Sequence, residues 1–408
     1  MTRMTRPSSS DEERLMTLQS QIEKLRARDA KRRRRMAELT QERKRSIREV
    51  ALLRREVDKA RLHRYGAYGG GVDGWERRWD ERPGRRVLMY ARIDSAGSLF
   101  RWAEAVNRHS RYAARVACFQ LSPFKYPTDL VFPDPRVGRS GFAELVAEAN
   151  IVHVKDERYF PYGNGPGGQA VLATEKPVVF TQYGGWARRG SSDRDYRRAV
   201  GGTAARVATT PDLCFKWFDG RWIPLPIDTD RFSYDWNDGR VVGHSPSRPE
   251  RKGTAEFMEA VSTLPCEIDL IQGVSHSECV ERKARCSLFF DQAGWELPRY
   301  GGRPVGIYGN SALEAAVRGI PTIAHLSEEL FAGALRGGKD LRADCLIINT
   351  PLGVDGIRAT LRRWLDGPAE ERELHSRETR AWVERNHSYR PVAADLAAVY
   401  DGVLGPSS

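Results

Sequence analysis

The sequence contains no long apolar run and no closely paired cysteines. A membrane-spanning helix needs roughly 18 or more consecutive apolar residues, and no segment of the 408-residue chain approaches that length. The start of the chain is polar and lacks the apolar core of a secretory signal. The six cysteines are scattered and include no Cys-x-x-Cys pair, which argues against a zinc site and a disulfide framework. We therefore expect a cytoplasmic protein.

Several catalytic motifs are missing as well. The sequence has no phosphate-binding P-loop and no Gly-x-Ser-x-Gly nucleophile elbow of a hydrolase. Asp228 and Asp230 have the spacing of a metal-binding Asp-x-Asp motif, but they fall between two predicted domains and are interpreted as a turn. No bound metal is predicted.

The excess positive charge of the chain, +12 in total, is confined to one end. Residues 1–64 hold 20 Lys/Arg against 10 Asp/Glu, whereas the remaining 344 residues hold 46 against 44. The body of the protein is therefore close to neutral, and the basic character belongs to the N-terminal segment.

This N-terminal segment carries a helical pattern. Between residues 15 and 60, ten of 14 heptad core positions are apolar. The apolar seam is interrupted at two places, which favours a short helical hairpin or a weakly oligomerising helix over a long coiled coil. The run 31–35, one lysine and four arginines, indicates either contact with phosphate or another anionic surface or a solvated helix face.

After a glycine-rich and then charged segment, 65–85, which is predicted to be a linker, strand-like and helix-like patterns alternate. Strands are predicted at 86–91, 114–119, 151–154, 178–181, 206–209 and 222–224, and helices at 98–108, 141–149 and 193–200. This alternation predicts a first Rossmann-like domain over 86–230.

A second alternating series begins at residue 240. Strands are predicted at 241–243, 267–272, 286–290, 322–324 and 345–348, and helices at 253–264, 276–283, 311–318, 353–365 and 368–386. The series predicts a second Rossmann-like domain over 240–385, followed by a C-terminal helix, 386–408, that returns to the first domain. Two such domains in tandem leave a cleft between them, and ligands bind at the carboxyl ends of the strands.

The segment 306–324 has the pattern of a loop, a helix start and a strand. Gly309 and Asn310 suit a tight turn, and Ser311 suits an N-cap that leaves helix amides facing a phosphate. Glu314 lies one turn further and could accept hydrogen bonds from ribose hydroxyls. An ordinary capped helix explains the same residues equally well.

A second candidate segment, 241–254, combines a strand end with basic residues beside a helix start. His244 ends the strand, and Arg248, Arg251 and Lys252 precede the helix. Basic side chains at a helix N-terminus form a diphosphate site, although a solvated basic loop is the other interpretation. Because both segments occupy equivalent strand–loop–helix positions of one domain, we expect them to face one cleft.

Together these motifs resemble the retaining GT-B glycosyltransferases grouped as family four, in particular a subset with a His-x-Pro…Lys-Gly-Thr loop, here 244–254. Residues 272–276, 291–292 and 308–315 are similar to the same subset. The resemblance spans about residues 86–403 and is denser in the second domain. It implies an α/β GT-B fold of two Rossmann-like domains facing a cleft, preceded here by the basic helical or coiled-coil segment. The implied activity is retaining transfer of a sugar from a nucleoside diphosphate sugar to a hydroxyl, with no bound metal or cofactor.

By the same resemblance, specific residues take on roles. Lys252 with Arg251 and Arg248 would neutralise the donor diphosphate, and Glu314 would bind its ribose. The remaining candidate donor-binding residues are Gly97, His244, Gly309, Asn310 and Ser311. Lys252, Arg251 and Tyr183 are the candidate catalytic residues.

The chain departs from the family at two positions. The family carries two glutamates with seven residues between them, and the first of these positions is occupied here by Gly306. Tyr183 stands where the family has a histidine at the end of a strand. Tyrosine can donate a hydrogen bond but is a poor base near neutral pH.

These departures keep two other functions open. A degenerate GT-B body could serve as a binding or structural module that works through its basic N-terminal helix, which would bind an anionic surface or oligomerise. A nucleotide-sugar epimerase would need acid–base residues across the cleft, for which Asp156, Glu157 and His244 are the candidates. For a transferase, the basic helix favours a protein or polymer as acceptor.

Overall fold

The structure is a computed structural model, and it describes residues 72, 74–94, 96–122, 124, 126–131, 139–155, 176–184, 187–188, 194–295 and 303–405. The predicted N-terminal helical segment, 1–64, lies outside these residues, and so do Asp156 and Glu157. Within the described ranges, no helix is both long enough and apolar enough to cross a membrane.

The first sheet has seven parallel strands. They are β1 (Arg86–Ile93), β2 (Ala113–Gln120), β3 (Leu130–Val131), β4 (Ile151–Val154), β5 (Val178–Gln182), β6 (Ala205–Ala208) and β7 (Arg221–Trp222). The strand order is β3-β2-β1-β4-β5-β6-β7. The order reverses between β1 and β4, which is where open sheets of this kind bind ligands.

Strand β1 lies in the interior of this sheet, and this position explains its unbroken apolar run. Residues 87–91 of β1 are fully buried. Leu88 and Tyr90 belong to one hydrophobic cluster, while Val87 and Met89 belong to another, because successive side chains point to opposite faces. A strand that is covered on both faces has no need of polar residues in its sequence.

The helices whose bounds the described residues give beside this sheet are α1 (Trp75–Asp80), α2 (Ser98–His109), α3 (Arg139–Glu148) and α4 (Arg194–Gly201). Helix α1 lies within 65–85, which we predicted to be a linker. Its two tryptophans, Trp75 and Trp79, are buried, and Trp79 Nε1 donates a hydrogen bond to Glu148 at 2.8 Å. This part of the segment is thus packed onto the first domain.

The second sheet has five parallel strands. They are β8 (Val241–His244), β9 (Glu267–Leu270), β10 (Leu288–Gln292), β11 (Thr322–Ala324) and β12 (Ile348–Asn349). Their order is β12-β11-β10-β8-β9. The strand order therefore reverses between β8 and β10. The two Rossmann-like sheets agree with the predicted architecture.

Among the described residues, eight helices follow β8. They are α5 (Pro249–Lys252), α6 (Thr254–Val261), α7 (His276–Lys283), α8 (Asn310–Ala316), α9 (Glu328–Arg336), α10 (Val354–Leu365), α11 (Ala369–His387) and α12 (Tyr389–Leu404). Helix α12 packs against α2 of the first domain. The hydroxyl of Tyr400 on α12 lies 2.8 Å from Nδ1 of His153, whose Nε2 lies 2.6 Å from the Thr181 hydroxyl. Burial lowers the pKa of His153 to about 3, so this ring is a neutral bridge in the core.

A buried cluster of charges ties the connection between the two sheets to α2 and α12. Arg231 lies 2.9 Å from Glu104 and 2.8 Å from Asp228, and Arg108 lies 2.7 Å from Asp228. The Tyr389 hydroxyl donates to Glu104 at 2.7 Å. Burial raises the pKa of Glu104 in spite of its two arginine neighbours. Removing one charge of the cluster would therefore leave a buried partner uncompensated.

Candidate functional site

The two predicted donor-binding segments meet at the switch point of the second sheet, between the carboxyl ends of β8 and β10. Ser245 directly follows β8, and its hydroxyl lies 2.6 Å from that of Ser311 at the start of α8. The switch point of a sheet in this order is where nucleotides bind. Two segments that are far apart in the sequence are thus brought to one place.

Asp291, at the end of β10, joins the basic loop to the glycine turn. Lys252 Nζ lies 2.7 Å from Asp291 Oδ1, and the Gly309 amide donates to Asp291 Oδ2 at 3.1 Å. The side chain of Asp291 is 1% exposed and that of Lys252 is 17% exposed. This contact uses one of the three ammonium hydrogens of Lys252.

The other two predicted cations lie on the same short segment. Arg248 precedes α5 and is exposed, while Arg251 lies within α5 and is half-buried. These three cationic side chains are accompanied by the buried carboxylate of Asp291 and by Glu250 within α5, so the balance of charge at this loop is positive. Such a surplus favours an anionic ligand.

Glu314 lies deep in the site and is held by two side chains of α7. Lys283 Nζ lies 2.6 Å from Oε2 of Glu314, and His276 Nε2 lies 2.9 Å from Oε1. The side chain of Glu314 is 3% exposed. Lys283 and His276 overcome the effect of burial and hold the pKa of Glu314 below its usual value. The carboxylate is therefore ionised near neutral pH and keeps acceptor capacity on both oxygens.

Asn310 links this site to the first domain. Its Nδ2 donates to the backbone oxygen of Ala96 at 3.1 Å, and Ala96 lies in the turn between β1 and α2. The Oδ1 of Asn310 is buried, and among the described residues it has no hydrogen-bond partner. A buried amide oxygen without a partner is costly, so this atom is suited to accept from a bound group.

His244, a predicted donor-binding residue, ends β8. The residue is fully buried, its Nδ1 lies 2.9 Å from the backbone oxygen of Phe290, and its Nε2 lies 2.9 Å from the Thr254 hydroxyl. Burial lowers its pKa to about 4. With both ring nitrogens engaged inside the domain, His244 supports the loop that follows β8, and its contact with a donor stays a prediction. The same contacts argue against its use as an epimerase acid or base.

Gly97 sits on the first-domain side of the cleft. Its φ of +64° lies in the left-handed region, and a Cβ at this position would come within 2.7 Å of the Tyr126 ring. The centroid of the Tyr126 ring is 4.5 Å from that of His276 in the second domain. Only glycine fits this turn, and the turn places a ring of the first domain beside the residues that hold Glu314.

The switch point of the first sheet carries a buried ion pair that the sequence analysis missed. Lys155, after β4, lies 2.7 Å from Asp94, after β1, and their side chains are 0% and 1% exposed. Lys155 also donates to Ser98 and lies 4.0 Å from the centroid of the Tyr183 ring. Tyr183 is thus beside a cation at the carboxyl edge of the sheet, in the part of the cleft opposite the donor loops.

Gly306, where the family has a glutamate, has no room for any side chain. Its oxygen accepts from the Ser327 amide at 3.1 Å, and an added Cβ would clash with the Cβ and Oγ of Ser327 and approach its nitrogen to 2.8 Å. A larger side chain at this position would therefore require Ser327 or the local backbone to move.

We expect Gly306→Ala to lower the free energy of unfolding by about 1–3 kcal/mol, because overpacking a tight contact forces the backbone apart. Chemical denaturation of both proteins measures this difference. Gly402→Ala on α12, where nothing lies within 4 Å of the added Cβ, is the matched control and is expected to be neutral or stabilising. A Gly306→Ala variant as stable as the parent would contradict the close contact with Ser327.

No protein-family model matches the chain, and no curated protein sequence matches it. Solved structures do match. HepE from Anabaena, crystallised with UDP-glucose, is 12% identical, with a TM-score of 0.57 over 78% of this chain and 99% of that one. An alpha-glucosyltransferase in complex with UDP-glucose and DNA containing an abasic site is 10% identical, with a TM-score of 0.55 over 77% of this chain and 98% of that one.

A third similar structure is named as part of a phosphatase. The N-terminal domain of trehalose-6-phosphate phosphatase from Candida albicans is 9% identical, with a TM-score of 0.50 over 78% of this chain and 97% of that one. At such low identities these similarities show the fold and not the activity. The fold is the α/β GT-B fold, as predicted, while the N-terminal helical segment lies outside the described residues.

Proposed function

We propose that the chain is a glycosyltransferase that moves a sugar from a nucleoside diphosphate sugar to a hydroxyl acceptor, with retention and without a bound metal. The observation that carries the proposal is the meeting of Lys252, Asp291 and the Gly309 turn with Glu314 at the switch point of the second sheet. This arrangement combines a cationic loop, backbone amides and an ionised carboxylate, which together suit a nucleoside diphosphate.

Each part of the donor has a partner in this proposal. Lys252, Arg251 and Arg248 neutralise the diphosphate, aided by the turn 309–311. Glu314 accepts hydrogen bonds from the ribose hydroxyls. Asp291 is the orienting group, because it holds both the Lys252 ammonium and the Gly309 amide in place.

The chemistry follows from the charge distribution. As the bond between sugar and diphosphate breaks, negative charge grows on the leaving phosphate oxygen, and Lys252 and Arg251 stabilise it. In the retaining mechanism we propose, the acceptor hydroxyl attacks from the same face and gives its proton to that leaving oxygen. No protein nucleophile is needed. Tyr183, which lies beside Lys155, is a hydrogen-bond donor on the side of the cleft opposite the donor loops.

The donor can be identified by a thermal-shift screen with UDP-, GDP- and ADP-sugars. The screen begins with UDP-glucose, because the HepE and alpha-glucosyltransferase structures are complexes with it. A ligand present at 100 times its dissociation constant stabilises the native state by about 2.7 kcal/mol. We expect one nucleotide series to raise the melting temperature. If none of the three does, the donor site is wrongly assigned.

A second candidate function, a GT-B module that binds without transferring, is favoured by the filled space at Gly306 and by Tyr183. It predicts stabilisation by a nucleotide sugar with no hydrolysis or transfer of the sugar. The epimerase alternative predicts an epimer when the donor is incubated alone. Chromatography of the sugar products after incubation with the stabilising donor separates all three outcomes.

We also propose that the basic segment 1–64 directs the enzyme to a protein or polymer acceptor, through its cluster of arginines. Deleting these residues should then reduce transfer to that acceptor but leave hydrolysis of the donor unchanged. Equal transfer by the shortened chain would rule out this role.

A further inference from the structure

Lys283, at the end of α7, is a buried cation next to the donor site. Its side chain is 1% exposed. Its Nζ lies 2.6 Å from Glu314 Oε2 and 2.8 Å from the Ser311 hydroxyl, and 5.1 Å from the centroid of the Phe289 ring. A buried ammonium is tolerated only with partners such as these, and two of them belong to the proposed nucleotide site.

Glu314 depends on Lys283 for its charge. The carboxylate is surrounded by protein, and burial alone would raise its pKa. The facing groups are Lys283 and His276, both on α7, with Cys279 and Asp291 acting on Lys283 in turn. The largest single effect that lowers the pKa of Glu314 is the positive charge of Lys283, followed by the charge and hydrogen bond of His276. Removing Lys283 would therefore leave a buried carboxyl that takes up a proton more readily.

The charge of Glu314 matters because of what the group must accept. An ionised carboxylate has about four acceptor positions, and Lys283 and His276 use two of them. The remaining two suffice for two vicinal hydroxyls. A protonated carboxyl would lose part of this capacity, and its hydrogen bonds to hydroxyls would be weaker.

We infer that Lys283 is a positioning residue for nucleotide binding, which keeps Glu314 ionised and oriented toward the ribose. The inference rests on the proposed function, because it assumes that Glu314 binds ribose. Lys283 need not touch the nucleotide itself. Its hydrogen bonds join the Glu314 carboxylate to Ser311. Ser311 in turn contacts Ser245, where the two donor-binding segments meet.

A purely structural role for Lys283 gives a different expectation. An ion pair that only stabilises the core would change the melting temperature, but the folded fraction would bind nucleotide with unchanged affinity. An ion pair that prepares Glu314 for ribose changes the affinity of the folded protein and makes it depend on pH. Affinity per folded molecule, as a function of pH, is thus the informative quantity.

The test compares the full chain with Lys283→Met by calorimetric titration with UDP between pH 5.5 and 8.5, or with GDP or ADP if the screen selects that base. We expect Lys283→Met to bind at least about tenfold more weakly near pH 6, which corresponds to about 1.4 kcal/mol. Its affinity should fall further as the pH falls, because Glu314 takes up a proton. The parent protein, titrated at each pH, is the reference for this dependence.

A double-mutant cycle decides whether Lys283 acts through Glu314. Glu314→Gln should weaken UDP binding at every pH, and Lys283→Met with Glu314→Gln should bind no more weakly than Glu314→Gln alone. This double variant removes both buried charges, so it remains informative if Lys283→Met alone unfolds. Lys339→Met, which breaks a half-exposed pair with Asp395, is the control and should bind UDP as the parent does.

Two results would overturn the inference. One is an unchanged, pH-independent affinity in folded Lys283→Met. The other is a further loss of affinity when Lys283→Met is added to Glu314→Gln. If Glu314→Gln itself binds UDP as well as the parent does, the assignment of Glu314 to ribose fails, and with it that part of the proposed function.

Discussion

Replacing Lys252 by alanine is expected to reduce sugar transfer by about 10²–10³-fold, the loss typical when one group that stabilises developing charge is removed. Two effects add. The diphosphate loses an ammonium at the place where its charge grows, and the buried carboxylate of Asp291 loses its partner 2.7 Å away. The uncompensated carboxylate then repels the anionic donor. Initial rates of transfer from the donor selected by the screen measure the loss.

Matched variants separate these two effects. Asp291→Asn added to Lys252→Ala should recover part of the donor affinity, because it removes the repulsion, without recovering turnover. Lys216→Ala, at an exposed position of the first domain, should be as active as the parent. Full activity in a folded Lys252→Ala variant would show that the basic loop is not the diphosphate site.

The order of strands and helices could be predicted because local pattern determines it. The strands predicted at 151–154 and 322–324 and the helix predicted at 276–283 coincide with β4, β11 and α7. In each case an unbroken apolar run or a helical period is bounded by polar or turn-forming residues. Such signals lie within a few positions of one another and need no information from the rest of the chain.

Elements that depend on distant partners were predicted less well. A strand predicted at 345–348 is β12, which pairs with β11 through only two residues, because the edge of a sheet is defined by its neighbour and not by its own apolar content. Helix α1 was missed because two tryptophans among charged residues give a weak pattern. Its packing partner, Glu148, is 69 residues away from Trp79.

The same distinction applies to the site. The cations of the basic loop and the turn 309–311 stand together in local motifs, so they could be proposed from the sequence. Lys283 ends a Glu-Arg-Lys run that is typical of an exposed helix end, and only the packing of α7 against α8 buries it. His244 shows the same dependence on packing, since a polar residue at a strand end is enclosed here by the Phe257 and Phe290 rings.

Arg231→Met is expected to lower the free energy of unfolding by about 3–5 kcal/mol, the usual cost of removing one partner from a buried ion pair. Arg231 holds both Glu104 and Asp228, whose side chains are 2% and 3% exposed. Without it, these two carboxylates face each other with Arg108 alone to compensate them. Denaturant unfolding of the parent and the variant at a fixed pH measures the difference.

The destabilisation should grow with pH, and the sign follows from the pKa of Glu104. This pKa is already raised in the folded protein, so the contribution of Glu104 to stability is lost as the pH rises through the folded value. Losing Arg231 raises the folded pKa further, because a neighbouring positive charge is gone. The free energy of unfolding that Arg231→Met loses should therefore be larger at pH 8 than at pH 5.

Arg77→Met provides the comparison, since Arg77 and Glu81 form an exposed pair at 3.8 Å. Exposed pairs of this kind contribute about 0–1 kcal/mol, and the effect of Arg77→Met should depend little on pH. An Arg231→Met variant that is no less stable than Arg77→Met would mean that the cluster relaxes without cost. The connection between the two sheets would then be held by its hydrophobic contacts instead, and the charges beside it would have no role in fixing the cleft.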